Sequence, residues 1–201
     1  MTKVLIGAAL GVMALTATAP VLAQDNPFMV RLRAVHLNWD NGQNQGVKAL
    51  DIEAKNKTIP EVDFSYFFTK NIAAELVLTY PQRVSVDSNI GRLGSVKALP
   101  PSLLLQYHFT DFGQFKPYVG LGVNYTLFTD RKVLDGAAKI DKSSVGYAAQ
   151  IGFDYMFDKN WGLNVDLKYA DIDTDVKVGG TKIGKLDLNP TMFGVGLTYK
   201  Y

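Results

Sequence analysis

The chain ends on the stretch FGVGLTYKY, residues 193–201, in which every second residue is apolar or aromatic. This alternation predicts a β-strand, because successive side chains of a strand point to opposite faces of the sheet. The ends of soluble domains usually run into polar residues. Here the last residue is an aromatic ring, so we expect Tyr201 to belong to a strand that is paired to its end.

The terminal pattern of tyrosine, any residue and an aromatic occurs three times earlier in the chain, each time ahead of a short polar turn. The four copies lie at 66–68, 107–109, 155–157 and 199–201, at intervals of about 40 to 50 residues. An interval of that length accommodates two strands and one long connection. The repeat therefore predicts four hairpins, with strands at 27–38, 58–68, 71–80, 99–109, 116–127, 145–157, 161–170 and 187–201.

The connections between these strands alternate in length. Those after the second, fourth and sixth strands are short, whereas the long ones are 39–57, 81–98, 128–144 and 171–186. An even number of antiparallel strands with short turns on one side and long loops on the other is typical of outer-membrane barrels. Lipid offers no hydrogen bonds to the backbone, so such a sheet must close on itself. The predicted fold is all-β: an eight-stranded antiparallel transmembrane β-barrel.

Aromatic residues lie near both ends of the predicted strands, as expected at the two membrane interfaces. The girdle predicted on the short-turn side consists of Tyr66, Phe68, Tyr107, Phe109, Tyr155, Phe157, Trp161, Tyr199 and Tyr201. A second girdle is predicted near the long loops from Trp39, Tyr80, Tyr125, Phe128, Tyr147 and Tyr169. A soluble barrel of the lipocalin kind would show the same alternation, with its apolar residues inside. The two aromatic bands, the loop asymmetry and the aromatic chain end favour the membrane.

The first 23 residues are predicted to be a secretory signal peptide that is removed, leaving the barrel at 24–201. Lys3 precedes an apolar run at 4–19, and Val21-Leu22-Ala23 offers a cleavage site. A transmembrane anchor is the alternative, but the run is short of the roughly 20 residues that a spanning helix needs. The net charge of +2 gives no argument for a nucleic-acid partner. With no cysteine and only two histidines, no metal site or cofactor is expected.

Several stretches resemble the OmpW family of outer-membrane proteins over nearly the whole chain after the leader. The most specific stretch is LPPSLLLQYHF at 99–109. The others are MVRLRA at 29–34, IPEVDFSYFFT at 59–69, PYVGLGVNY at 117–125 and DIDT at 171–174. Family members commonly end in Arg-Phe, whereas this chain ends in Lys200-Tyr201. The resemblance implies a narrow, fairly apolar barrel that passes small hydrophobic molecules across the outer membrane, with exit sideways through a gap in the wall.

Strand parity directs many charged and polar side chains into the lumen, with both signs of charge represented. The predicted polar network of the lumen is Arg31, Arg33, Glu61, Asp63, Glu75, Gln106, His108, Asp154, Asp166 and Lys168, with Lys200 at the same parity. Unpaired buried charges are costly, so mutual pairing explains the set on physical grounds alone. A functional alternative is a polar plug that blocks flow along the barrel axis. Eight strands enclose a space barely wide enough for side chains, so a general porin is not expected.

Prolines lie toward the long-loop ends of several strands. Because proline cannot donate to a β-ladder, it belongs at strand edges, strand starts or bulges. We predict a possible lateral opening at Pro60, Pro81, Pro100 and Pro101, with Pro190 in a similar position. Ordinary strand termination is the alternative, and an unbroken ladder beside all five prolines would contradict the opening.

The sequence favours a non-enzymatic barrel. His36 is predicted on the outward face and His108 inside, and neither has a recognisable serine partner for nucleophilic catalysis. The predicted function is passage of small hydrophobic molecules, and the alternative is a structural or adhesive barrel that displays its loops. The expected partners are outer-membrane lipid of a Gram-negative bacterium, a small hydrophobic ligand and, during insertion, the barrel-assembly machinery.

Overall fold

The computed structural model describes residues 26–40, 42–43, 53–88, 91–133 and 138–201. Their secondary structure consists of strands, and no helix in this part of the chain is long and apolar enough to cross a membrane. The strands are β1 Phe28–Asn38, β2 Gly42–Gln43, β3 Glu53–Ala54, β4 Lys57–Phe67, β5 Ile72–Thr79, β6 Gln82–Ser88, β7 Gly91–Leu99, β8 Ser102–His108, β9 Phe115–Val133, β10 Ala138–Ile140, β11 Ser143–Met156, β12 Trp161–Ala170, β13 Asp173–Val178, β14 Thr181–Asp187 and β15 Thr191–Lys200.

Eight of these strands close a barrel in which every neighbouring pair is antiparallel. The order around the wall is β1, β4, β5, β8, β9, β11, β12 and β15, and β15 pairs with β1 to complete the ring. The closing ladder runs from Met29 opposite Lys200 to Asn38 opposite Thr191. Beyond it, the amide of Tyr201 donates to the carbonyl of Phe28 at 3.0 Å. The predicted fold class is confirmed.

The long connections contain additional strands that the sequence analysis treated as loops. Strands β6 and β7 pair into one hairpin and β13 and β14 into another, so both extend the sheet beyond the barrel wall. The second hairpin turns at Gly179 and Gly180, whose φ angles of 59° and 89° suit residues without a Cβ. Strand β9 continues to Val133, six residues past the prediction, because β7 and β10 pair with its upper half.

The outer and inner faces of the wall decide between a membrane barrel and a soluble one. Large apolar side chains point outward at mid-wall, including Leu105, Leu121 and Ile151. The inward face of the same region carries buried arginines and carboxylates. A lipocalin-like barrel would place apolar residues inside and polar residues outside. The observed reverse pattern is that of a barrel whose outer surface meets lipid.

The aromatic side chains predicted on the short-turn side lie on the outer surface near the short turns. Within this girdle, edge-to-face ring pairs link neighbouring residues at 4.7–6.1 Å: Tyr66 with Phe68, Tyr107 with Phe109, Tyr155 with Phe157, Trp161 with Tyr199, and Tyr199 with Tyr201. Rings in this arrangement present an amphipathic band to one interface.

The prediction placed two residues of the second girdle on the wrong face of the wall. Trp39 and Phe128 are buried inside the barrel, whereas Tyr80, Tyr125 and Tyr147 are exposed on its outer face. Trp39 continues the inward parity of β1 just past the end of that strand. Proximity to the long loops therefore suggested an interface position that strand parity contradicts.

The predicted signal peptide at 1–23 lies outside the described residues and stays a prediction, as does cleavage before residue 24. The prediction that residues 187–190 belong to the last strand was wrong. Strand β15 begins at Thr191, directly after Pro190. Strand β8 likewise begins at Ser102 rather than at residue 99, because Pro100 and Pro101 precede it.

Candidate functional site: a charged plug beneath an apolar cluster

The barrel interior changes character along its axis. On the long-loop side lies an apolar cluster, formed by Val35, Leu37, Trp39, Ile59, Val96, Ala98, Phe128, Ile140, Ala170, Ile172, Val176, Leu186 and Met192. Toward the short turns, the barrel strands carry a charged plug, formed by Arg31, Arg33, Glu61, Asp63, Glu75, Asp154, Asp166 and Lys168. All eight plug side chains are at most 2% exposed.

Arg31 joins two walls of the barrel. Its Nε and Nη2 atoms contact the two carboxylate oxygens of Asp154 at 3.1 and 2.7 Å, and Nη1 pairs with Glu75. The guanidinium also lies over the ring of Tyr118, at 4.5 Å from the ring centroid. A bidentate contact combined with stacking on an aromatic ring fixes the planar group in one orientation.

Arg33 lies among four carboxylates. It contacts Glu61 at 3.1 Å, Asp166 at 3.2 Å and Glu75 at 3.7 Å, and it also pairs with Asp63. The contacts through Nε and Nη2 are ion pairs without aligned hydrogen-bond geometry. Coulomb attraction in the buried interior therefore holds this part of the plug together more than directional bonding does.

Lys168 supplies the third cation. Its Nζ atom lies 2.9 Å from Glu61 and 4.0 Å from Asp166. The plug thus contains three cationic side chains and five carboxylates, all of them paired within it. The eight charged residues come from five different strands, and they fill the cross-section instead of lining a channel.

Neutral polar side chains complete the network. Gln150 donates to Glu75 at 3.1 Å, and Asn164 donates to Asp154 at 3.0 Å. The Tyr118 hydroxyl donates to Asp166 at 3.1 Å. Sequence reasoning missed these three residues, although strand parity placed all of them inward. They were not selected because the prediction considered mainly charged side chains.

Gln106 and His108 lie below the plug, toward the short turns. The two side chains are hydrogen-bonded to each other at 2.9 Å, and His108 packs between the rings of Phe67 and Tyr118. His36 is exposed on the outer face of β1 and contacts Thr58 at 3.0 Å. Since the two histidines lie on opposite faces of the wall, they form no common site. No group of three metal-ligating side chains occurs within the described ranges.

The wall ladder is interrupted beside three of the predicted prolines. Pairing between β5 and β8 ends at Val77 opposite Ser102, and pairing resumes between β6 and β7 at Gln82 opposite Ala98. Pro81 lies on one side of this interruption, and Pro100 and Pro101 lie on the other. Two buried side-chain oxygens at its edge, Thr79 Oγ1 and Gln82 Oε1, have no hydrogen-bond partner.

The opposite flank of the Pro100–Pro101 segment is closed. The amide of Tyr125 donates to the carbonyl of Pro101 at 3.0 Å, and the Asn124 side chain reaches the same carbonyl at 3.2 Å. Pro60 differs from the other prolines because it lies opposite Ala34 inside the continuous ladder between β1 and β4. On its other side the ladder between β4 and β5 ends at Glu61 opposite Thr79, next to Pro60, so the discontinuity in the wall also borders Pro60.

These features together define an outer-membrane β-barrel with a filled interior. The OmpW family profile matches residues 24–201, and the chain belongs to the OmpW family. It is accordingly a non-enzymatic protein of the Gram-negative outer membrane.

The similarity to individual proteins covers most of the chain. An uncharacterized outer-membrane protein of Sinorhizobium fredii, y4mB, is 44% identical over 92% of this chain and 84% of its own length. Outer membrane protein W of Vibrio cholerae is 32% identical over 96% and 97%. Among solved structures, OprG from Pseudomonas aeruginosa superimposes with a TM-score of 0.71 at 28% identity, covering 88% of this chain and 96% of that one.

Proposed function

We propose that this barrel passes small hydrophobic molecules from the cell surface into the outer membrane, and that they leave sideways through the wall beside Pro81, Pro100 and Pro101. The observation that carries this proposal is the position of the ladder interruption. It lies where the apolar cluster meets the charged plug, since Ala98 belongs to the cluster and Glu61 of the plug pairs with Thr79.

The charged plug argues against passage along the axis. A molecule that crossed it would have to separate buried ion pairs, and an uncompensated buried charge costs about 3–5 kcal/mol. An apolar molecule gains nothing in return from a polar environment. Permeation toward the short turns is therefore unfavourable for the same ligands that the apolar cluster favours.

The apolar cluster supports the choice of ligand. Its thirteen side chains are hydrocarbon, aromatic or thioether groups, and they adjoin the long-loop side of the barrel. A small apolar molecule that enters this region gains about 25 cal/mol per Å² of surface removed from water. Size is limited by the eight-stranded wall, which leaves space for side chains and at most a small ligand.

The ladder interruption supports the exit route. Unpaired backbone groups are disfavoured within the hydrocarbon region, so the interruption lowers the stability of the wall relative to a continuous ladder. The prolines remove donors that a continuous ladder would require. A gap at this place gives an apolar molecule a short path from the cluster to lipid without crossing the plug.

The experiment measures uptake of small apolar and small polar solutes into liposomes that contain the refolded barrel. Since the chain has no cysteine, a disulfide between Tyr80→Cys and Pro100→Cys can lock the interruption. The matched control is Leu76→Cys with Leu103→Cys, a pair already in register in the intact ladder of the same two strands.

We expect uptake of the apolar solute only, its loss in the oxidised Tyr80–Pro100 pair, and its return on reduction. Unchanged uptake in the locked barrel would refute the lateral exit. Uptake equal to that of protein-free liposomes, with folding verified by heat-dependent gel mobility, would refute transport and favour a structural or adhesive barrel. Export by the predicted signal peptide and insertion by the barrel-assembly machinery belong to the same proposal.

A further inference from the structure

A separate cavity opens on the short-turn side of the barrel, below the charged plug. We call it the vestibule, and its volume is about 620 Å³. Its lining includes Met29, Phe67, Met156, Lys116 and Lys200. Volumes of 300–1,000 Å³ are usual for sites that hold small molecules. The plug separates this cavity from the apolar cluster, so the proposed transport does not use it.

The lining of the vestibule carries more positive than negative charge, with four lysines against three carboxylates: Lys70, Lys116, Lys159 and Lys200, and Asp111, Asp154 and Asp158. Lys116 donates to the backbone carbonyl of Thr110, and the Nζ atom of Lys200 lies over the Phe67 ring at 4.7 Å from the centroid. Neither these lysines nor Lys159 at the rim forms an ion pair with a carboxylate anywhere in the described part of the chain.

The carboxylates that also line the vestibule are already engaged. Both oxygens of Asp154 are bound by Arg31. Asp158 accepts hydrogen bonds from two backbone amides of its turn, both at 2.7 Å. Asp111 is highly exposed and lies 3.9 Å from Lys70. The cations of the vestibule therefore remain available to an anion from outside.

The vestibule floor is apolar beside these cations. Met29 and Phe67 are buried and pack with Ala73 in one cluster, and Met156 lies half-buried nearby. A site with a hydrocarbon floor and free ammonium groups is complementary to a molecule with a short alkyl chain and an anionic head. We infer that the vestibule binds a small single-chain amphiphilic anion, such as an alkyl carboxylate, from the short-turn side, which in outer-membrane barrels faces the periplasm.

The test is a titration of the wild-type barrel in phosphatidylcholine nanodiscs, followed by NMR of ¹³C-labelled methionine methyl groups. Met29 and Met156 report on the vestibule, whereas Met192 lies in the apolar cluster beyond the plug and serves as the internal control. The probes are octanoate, octanol and octylammonium, which share the alkyl chain and differ in charge. A further nanodisc containing phosphatidylglycerol tests whether a lipid headgroup occupies the vestibule instead.

We expect saturable shifts of the Met29 and Met156 signals with octanoate only, and binding that weakens as salt is raised. The variant Lys116→Gln/Lys200→Gln should bind octanoate at least about tenfold more weakly, a loss of about 1.4 kcal/mol, because it removes both charge-assisted contacts. Lys116→Arg should retain binding. Lys57→Gln, an exposed lysine at the opposite end of the barrel, should leave it unchanged.

Equal shifts with octanol would overturn the inference, as would unchanged octanoate binding in the double variant. An unperturbed Met192 signal shows that each variant is folded. If the double variant does not fold, the probe comparison and the salt dependence in the wild-type barrel still decide. Vestibule shifts caused by phosphatidylglycerol alone would assign the site to bilayer lipid and overturn binding of a soluble anion.

Discussion

Replacing Arg33 with methionine tests whether the charged plug is a mutually dependent ion network. The side chain is buried and contacts Glu61, Asp63, Glu75 and Asp166. Methionine is a long apolar side chain that can fill part of the space of the guanidinium stem, so the change chiefly removes charge. We expect strong destabilisation of the folded barrel.

The expected loss of stability follows from the carboxylates that remain in the plug without a cationic partner. Without Arg33, the plug keeps two cations, Arg31 and Lys168, against five carboxylates. Asp63 loses its only cationic contact in the plug, since its ion pair is with Arg33. Removal of one partner of a buried pair costs about 3–5 kcal/mol, because the other charge remains uncompensated. The loss should fall when Asp63→Asn is added, since that change removes the stranded charge.

The assay is equilibrium unfolding in urea from lipid vesicles, followed by tryptophan emission and heat-dependent gel mobility. Arg83→Met is the matched control, because Arg83 is exposed beyond the barrel wall, and we expect it to change the free energy of unfolding by less than about 0.5 kcal/mol. An Arg33→Met barrel as stable as the Arg83→Met barrel would refute the ion-network argument. So would an Asp63→Asn change that adds its full separate cost to that of Arg33→Met.

Three further predictions concern the turn, the closing ladder and the apolar cluster. Hydrogen bonds from the backbone amides of Trp161 and Asn160 lower the pKa of the exposed Asp158 carboxyl, so the turn should be most stable above the ordinary aspartate pKa of about 4 and weaken as pH falls through the lowered value. The protection factors of these two amides, that is, their hydrogen exchange relative to the intrinsic rate at each pH, should fall at low pH, and they should be low in Asp158→Ala at every pH. Gly196→Ala should reduce the refolded fraction on gels, because an added Cβ would lie 2.0 Å from a backbone oxygen of β1. With Trp161→Phe, emission reports on Trp39 alone, and an apolar solute that enters the cluster should shift it while a polar solute does not.

Local periodicity in the sequence predicted most of the fold. The alternation at 193–201 and its aromatic repeats predicted the eight barrel strands, and the ten polar residues that parity directs inward are buried. Both follow from geometry that each strand has on its own, since side chains alternate with a period of two whatever the strand pairs with. The same parity rule, applied to Trp39, would have corrected its assignment to the girdle.

Pairing within the plug could not be read from the sequence. Arg31 lies opposite Asp63 in the ladder between β1 and β4, yet its carboxylate partners are Glu75 and Asp154 on other strands. Which charges meet across the lumen depends on the stagger of the strands around the closed wall. Stagger is a property of the whole ring and leaves no local signal.

The sequence by itself determined a strand-built membrane barrel with charge inside and aromatic rings at its interface, because lipid and strand geometry act on each strand separately. Only the tertiary structure decided that the charges form a complete plug. It also decided that the ladder breaks between Pro81 and Pro100, whereas β4 stays paired with β1 at Pro60. A proline removes a donor wherever it occurs, but whether the ladder continues past it depends on how the strands on either side are paired.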